Sequence, residues 1–260
     1  MFYRITKAVC VFGIILSACF LLAQSVLAES LFESNADTRF MIAMHADRTA
    51  LQKKIPEPWQ AVSIPGGPFK GANLFIVFID PIVVQDAKGK PNPKGSICKV
   101  VFALPAKNTQ TNEVYTMVIG GFSGSPSTVP GPYKNFKFAP VKRVYTQKTL
   151  DSKPGIVEDA WDVGEPNKAL IELRVKYQGS LPFRNKSEQK VYSAKDPGFF
   201  RIYRIDSATE MLKSVPMNVD RIQDYRLRVT APEMSGVFDG TEQVVAITAI
   251  PFYARQVFLP

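Results

Sequence analysis

Ala169-Leu-Ile-Glu-Leu-Arg-Val-Lys-Tyr177 is the stretch whose reading decides the fold class. Leu170, Glu172, Arg174 and Lys176 fall on one side of an extended chain, and Ile171, Leu173, Val175 and Tyr177 on the other. A period of two is the signature of a half-buried strand. The apolar set predicts a core-facing side; the mixed set suits a barrel lumen or a solvated face.

Outward from this strand, similar runs recur. Gly198–Ile205, Asp224–Thr230 and Glu242–Ile250 follow it; Arg39–Ala46, Asn73–Asp80, Ser96–Leu104 and Glu113–Phe122 precede it. Lys142–Thr149 also reads as a strand, and Asp151–Asn167 as a polar connection. One short helix is predicted: Asp47 is its N-cap, Ala50, Leu51, Lys53 and Lys54 form its body, and Pro56 stops it. Short strands, few helices and 20 prolines predict a mainly β chain, an antiparallel sandwich or barrel. No repeat or linker divides residues 29–260, so one domain is expected there.

Residues 1–28 read differently. Arg4 and Lys7 precede an apolar run from Ala8 to Leu22, and Val26-Leu27-Ala28 offers small residues for cleavage before Glu29. This is the pattern of a secretory signal peptide, which predicts an exported, periplasmic protein. Leu16-Ser17-Ala18-Cys19 resembles a lipobox, and its use would instead anchor the protein to the membrane through a lipidated Cys19. Loss of Arg4 and Lys7 with the leader lowers the formal charge from +9 to +7. The remaining basic residues are scattered among acids, which argues against a nucleic-acid groove. Cys98 alone would survive cleavage, so no internal disulfide is expected, and its strand-like surroundings predict a buried structural thiol. With His45 as the only histidine, a histidine-based metal site is excluded. Gly120–Pro126 lacks the spacing and following helix of a phosphate loop.

Chemistry concentrates in Val129–Tyr145, where Lys134 and Lys137 sit among Pro132, Pro140 and aromatics. Three residues apart in an extended chain, the two lysines face opposite ways, so one is free to enter an apolar pocket. A lysine desolvated there loses pKa and becomes an amine nucleophile able to form a Schiff base. The other reading is a loop of solvated basic residues.

Asp47-Arg-Thr-Ala-Leu-Gln-Lys-Lys-Ile-Pro-Glu-Pro58, directly after the first strand, resembles the N-terminal signature of the acetoacetate decarboxylase-like superfamily. Asn112-Glu113 before a strand ending at Gly120, and Lys134 after Pro132-Tyr133, resemble its active-site region. Ala169–Tyr177 and Asp196–Ile205 fit its later strands. The resemblance implies a β-barrel or cone with an internal pocket and few short helices, often as a homo-oligomer, and a Schiff-base lysine acting on a small β-keto acid without a cofactor. On that basis Lys134, Lys137, His45 and Glu113 are the catalytic candidates, and Phe122, Tyr133 and Arg174 the substrate-binding ones. Three departures stand against it. Lys134 is followed by Asn135 instead of a second lysine, Gly121-Phe122 replaces an Arg-Glu pair, and His45-Ala46 replaces an arginine. Three functions therefore stand: a Schiff-base lyase, a non-catalytic binding protein holding an apolar or acidic ligand in the same barrel, or a purely structural envelope role.

Overall fold

In the computed structural model, the described residues are 29–150, 153–165 and 168–260. The leader expected over residues 1–28, with Cys19, lies outside them. Leu31–Leu259 forms one compact unit.

The strands, in chain order, are β1 (Ser30–His45), β2 (Trp59–Ala61), β3 (Leu74–Asp86), β4 (Lys99–Asn108), β5 (Val114–Ser123), β6 (Phe136–Phe138) and β7 (Val141–Leu150). They continue with β8 (Lys153–Glu165), β9 (Lys168–Gln178), β10 (Phe183–Ser193), β11 (Phe200–Ser214), β12 (Val219–Asp220), β13 (Ile222–Val229) and β14 (Gln243–Leu259). The short helix is α1 (Arg48–Gln52), and the Asp47 carboxylate caps it by accepting from the Ala50 amide at 2.7 Å. The predicted cap is in place, but the helix ends at Gln52: Lys53 and Lys54, read as part of its body, lie in the turn that precedes Pro56.

A ten-stranded sheet runs β2-β4-β3-β1-β14-β11-β10-β5-β6, with β12 appended to β11. It curls far enough for β4 to pair with both β3 and β5. A second sheet, β13-β9-β8-β7, carries the stretch that opened the sequence reading. The expected antiparallel barrel is corrected here in two ways. The molecule is a curled sheet with a second sheet beside it, not one closed barrel, and β5 pairs in parallel with β10 and β6. Gly121 permits the tight packing around β5, since a Cβ there would lie 2.5 Å from the Val100 carbonyl oxygen.

Between the two sheets lies the larger apolar core. Ile171, Leu173, Val175 and Tyr177 are buried there, as their alternation predicts, with Phe40, Phe78, Phe102 and Trp161. On the other face of β9, Arg174 is exposed and Glu172 and Lys176 are half-buried, whereas Leu170 packs partly against the core. The segment read as a polar connection is corrected to β8: Val157, Asp159, Trp161 and Val163 alternate inward and are all buried. An aspartate on the apolar face hides that pattern. Asp159 is satisfied by Arg143 of β7, which donates to both its oxygens at 3.0 and 2.9 Å. Arg143 also donates to Asp80 of β3 and Thr38 of β1, linking the sheets. Cys98 packs beside this network; burial first, and then the Asp80 charge, push its thiol up to about 12.

Candidate functional site

The concave side of the curled sheet is lined differently. Val118, Tyr133, Phe136, Val191, Tyr203, Ile205, Ile250, Tyr253 and Val257 form a second apolar cluster. Beside it opens a cavity of about 310 Å³ whose polar lining includes Asp37, Lys99, Tyr133, Arg201, Tyr203 and Arg255. Phe32, Lys94 and Ser127 are its exposed members.

Two bulges shape this lumen. β3 shifts register against β1 between the pairs Ala36–Val83 and Asp37–Pro81. β14 shifts against β11 between Ala208–Phe252 and Glu210–Ala249, the step that contains Pro251. Proline donates no ladder hydrogen bond and is tolerated at bulges. Past Pro251 the strand resumes, burying Tyr253 and bringing Arg255 to the cavity.

The charges in the lumen are paired unequally. Arg39 is held by both oxygens of Asp37, at 2.6 and 2.9 Å, and its guanidinium lies 3.3 Å above the Tyr253 ring. That cation is fully engaged. Arg255 stacks 4.2 Å over Tyr203, and Arg201 stacks 4.7 Å over Phe32. The Nε of each is buried without a hydrogen-bond partner among the described residues. Stacking offsets part of the cost of burying a guanidinium and leaves its Nε–H unused. Lys99 donates to the Gly95 carbonyl at 2.8 Å. Burial pulls its ammonium below the ordinary range and Arg255 adds to this, while Glu33 and Asp37 oppose it. Tyr133 and Tyr203 share a short hydroxyl–hydroxyl hydrogen bond. Burial, with the neighbouring Tyr203, raises the Tyr133 phenol well above its usual value, so it stays a neutral donor.

Of the residues nominated from sequence, Tyr133 alone lines this cavity. Lys134 adopts a left-handed conformation (φ 57°), which swings its side chain outward to Asp196 at 2.7 Å, with 60% exposure. Lys137 is 64% exposed and paired with Glu233. The expected desolvation of one of the two is thus corrected: both face water, because the turn at Lys134 resets the alternation. His45 is exposed and donates through Nδ1 to the Gly71 carbonyl at 3.0 Å. Glu113 is exposed beside Tyr115. Phe122 packs against Phe102 in the core between the sheets, and Arg174 pairs with Asp162 on the outer face of the second sheet.

Sequence reasoning missed Lys99, Arg201, Tyr203 and Arg255. A signal existed for three of them. Lys99 interrupts a run otherwise apolar, and Arg201 and Tyr203 share one face of a strand recognised as such.

This is the fold of the acetoacetate decarboxylase-like proteins. It aligns with an acetoacetate decarboxylase-like enzyme from Sphingomonas wittichii RW1 at a TM-score of 0.54 and 9% identity, covering 90% of this chain and 93% of that one. The enduracididine biosynthesis enzyme MppR with bound HEPES buffer aligns at 0.52 and 8%, covering 92% and 89%. MppR complexed with the condensation product of pyruvate and imidazole 4-carboxaldehyde aligns at 0.52 and 9%, covering 91% and 90%. At such identities the likeness is one of fold. No family model matches the chain, and no curated protein matches it.

Proposed function

We propose that the lumen holds a small acidic ligand and that the chain is a binding protein of the cell envelope built on this fold. The observation that carries the reading is the placement of cations. Arg201, Arg255 and Lys99 surround the cavity, whereas Lys134 and Lys137, the expected nucleophiles, are ion-paired at the surface. A buried guanidinium with an unused N–H is a ready carboxylate partner. The leader read in residues 1–28 supports the envelope setting, either free in the periplasm or tethered through Cys19.

Titration calorimetry with small carboxylic acids tests the reading. Saturable binding that Arg255→Gln weakens is expected; no heat with any acid overturns it. Cell fractionation of the native chain and of Cys19→Ala tests the setting: recovery of both in the cytoplasm removes it.

One observation favours a second reading, the Schiff-base lyase. Lys99 is a desolvated amine facing the cavity, with another cation near it. In this reading the Lys99 amine adds to a substrate carbonyl and water leaves, giving an iminium that takes up the electrons of the breaking C–C bond as the carboxylate leaves as carbon dioxide, so that an enamine remains. Borohydride would trap that iminium as a secondary amine. Incubation with keto acids and aldehydes, then borohydride, is read by intact mass. An adduct lost in Lys99→Ala and kept in the Lys134→Ala/Lys137→Ala double variant supports this chemistry. No adduct from any member of the panel ends it.

A further inference from the structure

The lumen is not simply cationic; its uncompensated charge has a definite size. Of the two acids lining it, Asp37 is already neutralised by Arg39. Glu33 then stands alone against Lys99, Arg201 and Arg255. Lys94 is at the exposed mouth, where water screens it. The interior is left with an excess of two positive charges.

Among the described residues, no acid besides Glu33 and Asp37 lines the cavity. Arg201 and Arg255 are both stacked on aromatic rings, which orients their planes and leaves their Nε hydrogens without protein acceptors among the described residues. Tyr133 and Tyr203 can use only one of their two hydroxyl protons on each other. The remaining proton is available to a ligand oxygen. The site thus offers donors of both kinds, guanidinium and phenol, around a space of about 310 Å³. A buried excess of this size costs free energy until a matching counter-charge arrives.

We infer that the natural ligand is a small dianion, a dicarboxylate or a phosphomonoester, seated among Arg201, Arg255 and Lys99 beneath the Tyr133–Tyr203 pair. This rests on the binding function proposed above and narrows it. A monoanion leaves one charge unmatched. A neutral molecule leaves both. Each step toward neutrality in a low-dielectric lumen strengthens binding.

The test is calorimetric titration of the protein with matched probes: succinate, butyrate and succinamide for one arm, and glycerol phosphate for the other. Succinate or glycerol phosphate is expected to bind at least roughly tenfold tighter than butyrate, given one more ion pairing at reduced dielectric. That advantage is expected to collapse in Arg201→Gln and in Arg255→Gln, and to shrink with added salt. Whichever dianion binds tighter identifies the source. Should either variant lose its circular dichroism spectrum, Lys99→Met provides the same readout. Butyrate binding as tightly as succinate and glycerol phosphate overturns the dianion but leaves a lumen for acidic ligands in place. A dianion advantage that survives all three substitutions also overturns it. Absence of binding by all four probes removes the binding function itself.

Discussion

Two half-buried arginines, Arg143 and Arg255, are treated in opposite ways. Between the sheets, Arg143 meets two carboxylates and a threonine hydroxyl, with the rings of Tyr145 and Trp161 each 4.8 Å away. In the lumen, Arg255 has an aromatic ring beneath it and a buried Nε without an acceptor among the described residues. The first arrangement is complete without a ligand. The second leaves a donor unmet among the described residues. A half-buried cation alone therefore says little about function; its unmet partners do.

The strongest way to break the contrast is to disturb the complete arrangement. Asp159→Ala leaves Arg143 buried beside only Asp80, and breaking a buried pair by removing one partner costs about 3–5 kcal/mol. Urea denaturation of the variant is expected to show a loss of that order. A loss below about 1 kcal/mol, the range of surface pairs, would equate the two arginines. Arg255→Met sharpens the contrast from the other side. Replacing an uncompensated charge by an apolar chain is expected to leave unliganded stability within about 1 kcal/mol of the parent, or raise it. A loss as large as that of Asp159→Ala would make Arg255 a structural residue.

The smallest effect is a pH dependence. The folded-state pKa of Lys99 is lowered below its unfolded value, so between the two values the unfolded chain binds more protons. Its contribution therefore rises with pH through that window, whose upper end is the ordinary lysine value. Lys99→Met is expected to be more stable than the parent at neutral pH, with the advantage shrinking as pH climbs toward about 10.4, the free lysine value. Denaturation curves across this range, showing an advantage that stays constant or grows, would sink the assignment.

The fold was legible wherever apolar residues alternate without interruption. β9 is the clearest case: its two faces were assigned residue by residue from the sequence. β8 was not legible, because Asp159 occupies an inward position that only Arg143, on a different strand, makes tolerable. The site was less legible for a related reason. Lys134 and Lys137 were assigned opposite faces by counting along an extended chain, and a single left-handed residue undid the count. Arg255 lies beyond Pro251, where a strand reading stops and the real strand merely bulges. Cations supplied by β4, β11 and β14 meet through strand order, and no local pattern in one segment announces such a meeting.

The strand order carries one more consequence. β1, among the earliest strands in the chain, sits between β3 and β14, the 17-residue strand that is among the last. Until β14 has been synthesised, β1 and β11 each have an open edge, and the lumen has no wall on that side. Such far-apart pairings close late and slowly. The nascent chain is thus obliged to remain unfinished through nearly its entire synthesis, with two hungry sheet edges in need of protection from neighbouring chains.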